Sequence, residues 1–137
     1  MIYVTRKEHF NAAHRVYRPD WTEEQNKEVF GKCANPNWHG HNYDIYVTVK
    51  GEPKADTGFV MDIKKLSNLI KDEVVERFDH KNLNLDVDVL KDVIPSTENV
   101  AIAIWKLLYN KIQAHGCNLH CIKLFETERN YVEYYGD

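Results

Sequence analysis

Residues 30–49 of the chain have the sequence FGKCANPNWHGHNYDIYVTV. The second half of this stretch, 43–49, alternates aromatic and β-branched residues with polar ones, which predicts a β-strand. His39 and His41 stand two residues apart at the start of the run, and side chains two apart on a strand lie on the same face. Both imidazoles are therefore expected on one side of a sheet. Neutral imidazole is a common zinc ligand, so the pair predicts part of a metal site.

Two histidines cannot hold a zinc ion alone, and we select His14, at the end of the first strand-like segment, as the third ligand. Three histidines leave one tetrahedral position free for water or substrate, as in catalytic zinc sites. Cys33 leaves two alternatives open. As a fourth ligand it would close a structural site, whereas a few ångströms away it would be a base or nucleophile beside the cation. Without a metal, the same histidines would be turn residues and a buried histidine bonded to a backbone carbonyl.

The remainder of the N-terminal half predicts strands and one short helix. Apolar residues recur at even positions in 2–12, which predicts a strand. A short helix with Thr22 as its N-cap is predicted within 21–30, inside a long connection that ends at the cysteine and the two histidines. The strand at 43–51 is followed by a turn and by a predicted returning strand at 59–63, so a hairpin is expected there.

The C-terminal half predicts two amphipathic helices and a closing hairpin. The first helix, at 62–77, has a single apolar stripe, and the second, at 97–114, follows an N-cap at Ser96 or Thr97. Strands at 121–127 and 130–135 complete the chain. Because strands and helices do not alternate, we expect an α+β fold in which two helices cover one face of an antiparallel sheet. No linker or repeat is present, so residues 1–137 are expected to form a single domain.

Five motifs taken together resemble the 6-pyruvoyl-tetrahydropterin synthase family. They are FNAAHR at 10–15, Cys33 followed after five residues by HGHNY at 39–43, DHKNL at 79–83, TENV at 97–100 and the Glu126-Thr127 pair. The resemblance runs nearly from end to end. The five-residue gap is more similar to the pyruvoyl enzymes than to 6-carboxytetrahydropterin synthase, where three residues are usual. Trp38 departs from the pattern, since that position tends to be small in the relatives.

The resemblance implies a tunnelling fold, or T-fold, in which subunits join their sheets into a barrel and active sites form between subunits. A homo-oligomer built as a dimer of trimers is therefore expected. The implied activity is a zinc-dependent lyase that converts 7,8-dihydroneopterin triphosphate to 6-pyruvoyl-tetrahydropterin with loss of triphosphate, in tetrahydrobiopterin-type biosynthesis. Magnesium is implied as well, together with the triphosphate. The alternatives are a 6-carboxytetrahydropterin synthase of deazapurine (queuosine) biosynthesis and a non-enzymatic zinc-binding subunit in which Cys33 and the three histidines close the site.

The resemblance also implies roles for individual residues. These are His14, His39 and His41 as metal ligands, Cys33, Asp79 and His80 as catalytic residues, and Glu126 and Thr97 as substrate-binding residues. Glu126 would anchor the pterin through two neighbouring N–H donors, with help from backbone groups near Thr97. From the residues alone, Asp79 and His80 are also typical of an exposed helix end. The pair is catalytic only if a sharp turn lets the carboxylate orient the imidazole.

Composition and charge argue against several classes of protein. The chain has a net charge of −3 with neutral histidines and no block of Lys and Arg, so no nucleic-acid partner is expected. Three cysteines, an odd number, argue against a disulfide framework, and no segment is apolar and long enough to cross a membrane. A cytoplasmic protein without a membrane partner is expected. Arg15, Lys32 and Lys81 lie close to the motifs, but the sequence does not assign the residues that meet the triphosphate.

Overall fold

A five-stranded sheet forms the centre of the protein, in a computed structural model that describes residues 1–137. Its strands are β1 (Ile2–His14), β2 (His39–Gly51), β3 (Lys81–Asn82), β4 (Asn118–Phe125) and β5 (Tyr131–Tyr134). They lie in the order β3-β1-β2-β4-β5. All pairings are antiparallel except the two-residue parallel pairing of β3 with β1. The expected antiparallel sheet is therefore confirmed apart from this short edge strand.

Helical segments cover one face of the sheet. They are α2 (Ile63–Ile70), α3 (Glu76–Phe78) and α4 (Thr97–Gln113), whereas α1 (Glu23–Phe30) lies in the connection between β1 and β2 and packs against the turn Gly31–Ala34. A π-helical segment, Lys71–Val75, joins α2 to α3, so the helix predicted at 62–77 is continuous but contains one wider turn. A cluster of 25 buried apolar residues lies between the helices and the sheet, which confirms the α+β class. None of the helices is both long enough and apolar enough to span a bilayer.

Capping residues determine where α1 and α4 begin. Thr22 accepts a hydrogen bond from the Gln25 backbone N–H, and the Gln25 side chain accepts one from the Thr22 N–H, so the predicted N-cap of α1 is confirmed. Of the two N-cap candidates for α4, Ser96 is the one used, because its hydroxyl accepts the Asn99 N–H at 3.2 Å. Thr97 is therefore the first helical residue, and its hydroxyl is available for another partner.

The strand predicted at 59–63 is wrong. Those residues form an irregular connection in which Val60 and Met61 are buried in front of α2. The physical reason is that β2 has no free edge over residues 44–50, where a returning strand would pair. Lys50, for example, pairs with Tyr3 of β1 on one side and with Asn118 of β4 on the other. A returning strand would find no backbone N–H or C=O groups left to pair with.

The long pairing of β1 with β2 positions the histidines. In this register His14 lies opposite His39, and Ala12 lies opposite His41. Ala12 and His14 are buried on the face that the helices cover. β2 begins at His39, four residues before the predicted strand at Tyr43, so both of its histidines belong to the paired strand. The two strands therefore bring three imidazoles to one end of one face.

Candidate active site

His14, His39 and His41 form one group, as the sequence predicts. Their donor atoms lie within 4.8 Å of one another. Nε2 of His14, Nδ1 of His39 and Nε2 of His41 are buried, and none has a hydrogen-bond partner in the protein. Leaving three buried nitrogens unpaired is unfavourable, and a metal ion would satisfy all three at once. The group therefore fits a metal site with three imidazole ligands.

The surroundings of His14 favour the neutral form that binds metals. Its Nδ1 lies 2.8 Å from the Pro95 carbonyl oxygen, which can only accept, so Nδ1 carries the proton. The free lone pair is then on Nε2, the nitrogen without a partner. Burial lowers the pKa of His14 and also that of His39. Both imidazoles are therefore neutral ligands near neutral pH.

Glu126 faces the histidine group from the end of β4. Its carboxylate oxygens lie 3.6 Å from Nε2 of His41 and 3.9 Å from Nε2 of His14, longer than hydrogen bonds. Thr97, at the start of α4, donates its hydroxyl to Oε2 of Glu126 at 2.6 Å. The structure thus connects Thr97 to Glu126 through a side chain, where sequence reasoning expected backbone groups. The hydroxyl restrains the carboxylate beside the histidine group.

Cys33 is held near the histidine group but is not part of it. It lies in the 3₁₀ turn Gly31–Ala34, is exposed, and its carbonyl accepts the Val16 N–H at 2.8 Å. Its sulfur is not among the donor atoms that cluster within 4.8 Å. Val16 is two residues after His14, so its hydrogen bond to Cys33 holds the turn close to the histidine group. This placement favours a base over a fourth ligand.

Asp79 and His80 pair through a sharp turn at the edge of the sheet. His80 has a φ of 60°, and its Nδ1 lies 2.8 Å from Oδ2 of Asp79. The other Asp79 oxygen accepts the Asn11 N–H at 2.9 Å, and the His80 N–H donates to the Asn11 carbonyl at 2.7 Å. The hydrogen bond from Asn11, followed by that from His80, lowers the pKa of Asp79. An ionised Asp79 can therefore orient the imidazole, as the sequence hypothesis required.

His80 and Cys33 do not share a cleft within one chain. The His80 side chain is 80% exposed and lines an open cleft of about 540 Å³ together with His41 and Asn42. Cys33 is not among the residues that line this cleft. This cleft therefore brings together only part of the expected catalytic set.

Trp38 lies in the loop directly before the histidines and has a φ of 65°. This left-handed backbone region favours glycine, because a Cβ atom is crowded there. The conformation explains why a small residue suits the position. The loop nevertheless leads into β2 with both histidines in register, so Trp38 does not displace them.

Sequence reasoning missed the residues that hold the end of β1 in place. Asn84 donates to the Arg15 carbonyl at 2.8 Å and accepts the Arg15 N–H at 2.9 Å. Arg15 itself is buried, although in the sequence it stood out only as a cation close to the motifs. Its position directly after His14 was the one available signal, and that position does not reveal burial.

Comparison with known proteins identifies the family. The family model for 6-pyruvoyl tetrahydropterin synthase matches residues 3–137. The 6-pyruvoyl tetrahydrobiopterin synthase of Homo sapiens is 43% identical over 134 residues, which cover 98% of this chain and 91% of that protein. The protein of the same name from Dictyostelium discoideum is 40% identical over 136 residues, covering 99% and 97%. The solved structure of Caenorhabditis elegans 6-pyruvoyl tetrahydropterin synthase has a TM-score of 0.92 at 35% identity and covers 99% of this chain and 96% of that one, which confirms the T-fold. The chain belongs to the 6-pyruvoyl tetrahydropterin synthase family.

Proposed function

We propose that this chain is a zinc-dependent lyase that converts 7,8-dihydroneopterin triphosphate to 6-pyruvoyl-tetrahydropterin and triphosphate. The observation that carries the proposal is a group of three buried, unpartnered histidine nitrogens with an exposed thiol nearby but outside the group. Relatives named 6-pyruvoyl tetrahydrobiopterin synthase, matched over nearly the whole chain, support the substrate and the reaction. An open site with three ligands suits catalysis, whereas a site closed by four protein ligands suits a structural metal.

In this proposal His14, His39 and His41 hold the zinc ion through one nitrogen each. When bound, zinc supplies a Lewis acid that polarises a side-chain oxygen of the substrate and makes the adjacent C–H more acidic. Cys33, as a thiolate, removes that proton. The exposed position of its sulfur leaves the thiol accessible to the substrate.

The remaining residues bind the pterin and move protons. The two oxygens of Glu126 match two neighbouring N–H donors on the guanidine-like edge of the pterin, and the Thr97 hydroxyl restrains the carboxylate. His80, oriented by Asp79, exchanges protons with the side-chain oxygens. A dihydropterin becomes a tetrahydropterin while its side chain becomes a diketone, so the ring gains the electron pair that the side chain loses. No external reductant is needed.

No residue of the chain is assigned to magnesium in this proposal. Magnesium prefers oxygen ligands, and the group of candidate ligands that the structure brings together consists of three histidines. We therefore place magnesium on the triphosphate of the substrate and assign no residue to it.

We further propose that the chain functions as a dimer of trimers with active sites between subunits. The absence of Cys33 from the cleft that His80 lines supports this assembly. On the side away from β2, β1 is paired only at Ala12 and Ala13, with β3. β5 is paired with β4 alone. Both ends of the sheet therefore have free backbone edges. Free edges favour pairing with another copy. The family match over 3–137 supports one domain, and three free cysteines support a cytoplasmic location.

Release of triphosphate tests whether the chain is an enzyme. The zinc-loaded protein is mixed with 7,8-dihydroneopterin triphosphate, and triphosphate is followed by ion chromatography. We expect release that stops when zinc is chelated and resumes when zinc is restored. His41→Ala should abolish release, whereas His120→Ala, a histidine on β4 outside the group, should leave it unchanged. Retained zinc without any triphosphate release would favour the non-enzymatic zinc-binding subunit.

A further inference from the structure

The side chain of Arg15 is buried in spite of its charge. The residue is 8% exposed, and its guanidinium carbon lies 3.8 Å from the centre of the Tyr17 ring. Its Nε–H donates to the Ala34 carbonyl oxygen at 2.8 Å, and Nη2 contacts the Glu23 carboxylate at 3.1 Å. A buried guanidinium with these partners has a fixed orientation. Arg15 is therefore committed to protein groups and does not reach out to the triphosphate.

Arg15 and the residue after it hold the Cys33 turn. The Val16 N–H donates to the Cys33 carbonyl, and the Arg15 Nε–H donates to the next carbonyl, that of Ala34, both at 2.8 Å. Two consecutive peptide carbonyls of the turn are thus bonded to two consecutive residues that follow the metal-ligand candidate His14. The Asn84 side chain also fixes the Arg15 backbone, since it accepts the Arg15 N–H and donates to the Arg15 carbonyl.

We propose that Arg15 is a positioning residue that sets the Cys33 thiol relative to the histidine group. The inference rests on the proposed function, in which Cys33 is the base. Within its own chain the Cys33 side chain is exposed, so intrachain packing does not fix the sulfur, and the two backbone bonds hold the turn that carries it. Because His14 and Arg15 are adjacent, one short segment carries both a metal ligand and the bonds that hold the base.

The geometry requires a guanidinium and not merely a positive charge. Lysine has no donor at the position of Nε and no planar group to lie against the Tyr17 ring. Arg15→Lys is therefore expected to lose the bond to Ala34 while keeping the charge. A charge-based role and a positioning role thus predict different outcomes for this one variant.

The test compares Arg15→Met and Arg15→Lys with Arg18→Met in the zinc-loaded full-length enzyme. Arg18 is an exposed arginine of the same connection that pairs with Asp20, so it is the matched control. For Arg15→Met we expect kcat to fall roughly 10- to 100-fold, since a displacement of about 1 Å can cost that much, with KM within about twofold. The kcat of Arg15→Lys should fall by a similar factor, and Arg18→Met should keep the wild-type kcat. Zinc content should stay unchanged in all three variants, and amide hydrogen exchange at 31–36 should accelerate only in the Arg15 variants.

A double mutant distinguishes failure of this inference from failure of the proposed function. In single-turnover assays Arg15→Met should slow the enzyme that has Cys33 but not the Cys33→Ala enzyme, which has no thiol to position. An equal loss in both backgrounds, or a wild-type kcat in Arg15→Met or Arg15→Lys, would overturn the positioning role. A wild-type kcat in Cys33→Ala alone would instead overturn the base assignment in the proposed function. If Arg15→Met does not fold, Arg15→Lys and its exchange at 31–36 provide the same test.

Discussion

Cys33→Ala is expected to separate metal binding from chemistry. The sulfur is exposed and lies outside the histidine group, and the bond that holds Cys33 to Val16 comes from its carbonyl, which alanine keeps. Loss of such a side chain should change the free energy of unfolding by no more than about 0.5 kcal/mol. Zinc and pterin should still bind. Removal of a general base should lower kcat by roughly 10²–10⁴, equivalent to about 2.7–5.4 kcal/mol in the activation barrier.

The assay measures four quantities on one preparation. These are zinc per chain after dialysis, pterin affinity, kcat from triphosphate release, and the free energy of unfolding in urea. Cys117→Ala is the matched control, because that thiol is buried and lies away from the histidines. It should lower stability by about 1 kcal/mol and leave kcat unchanged.

Loss of zinc together with activity in Cys33→Ala would refute this reasoning. It would mean that the thiolate closes the metal site and that the three histidines are insufficient. A zinc–sulfur distance of about 2.3 Å in the metal-bound protein would lead to the same conclusion.

Three further predictions concern the metal ligands, the pterin anchor and the helix packing. Replacing His39 or His41 by Ala should abolish zinc binding and activity together while circular dichroism stays unchanged; full zinc content would exclude the replaced residue as a ligand. Glu126→Gln should raise KM at least about tenfold without loss of zinc, because an amide offers one acceptor where the carboxylate offers two, and steady-state kinetics with an unchanged KM would argue against the anchor. Hydrogen bonding to Lys111 lowers the pKa of Glu73. The ionised Glu73 therefore adds to the free energy of unfolding above the ordinary pKa of 4.5, and this stabilisation is lost as the pH falls below that value. Near neutral pH, Glu73→Gln should therefore lower the free energy of unfolding in urea by up to about 1 kcal/mol relative to the wild type. A stability difference that persists well below pH 4.5 would be inconsistent with this.

The periodicity of apolar residues predicted the strands and helices that bury one face. The alternation in 43–49 and the apolar stripe in 62–77 both follow from burial against one core, and both are confirmed. The strand at 59–63 failed because pairing depends on a free edge, which is a property of the whole sheet. The π-helical turn at Lys71–Val75 also left no signal in the pattern, since the apolar stripe continues through it.

The histidine group was predictable for a different reason. His39 and His41 are close in sequence, so local strand geometry places them together, and the strand end at His14 was the natural third position. The hydrogen bonds from Arg15 and Val16 to the Cys33 turn join segments that are 17 or more residues apart, and they depend on how a long connection folds back. The absence of Cys33 from the cleft that His80 lines likewise depends on the tertiary fold, which no local pattern encodes.

The identity of the product tests the central claim most directly. The zinc-loaded protein is incubated with 7,8-dihydroneopterin triphosphate without oxygen, and the pterin product is identified by mass spectrometry. The proposed function predicts 6-pyruvoyl-tetrahydropterin with one triphosphate released per turnover. Formation of 6-carboxytetrahydropterin together with acetaldehyde would contradict it and would establish the carboxytetrahydropterin synthase activity instead.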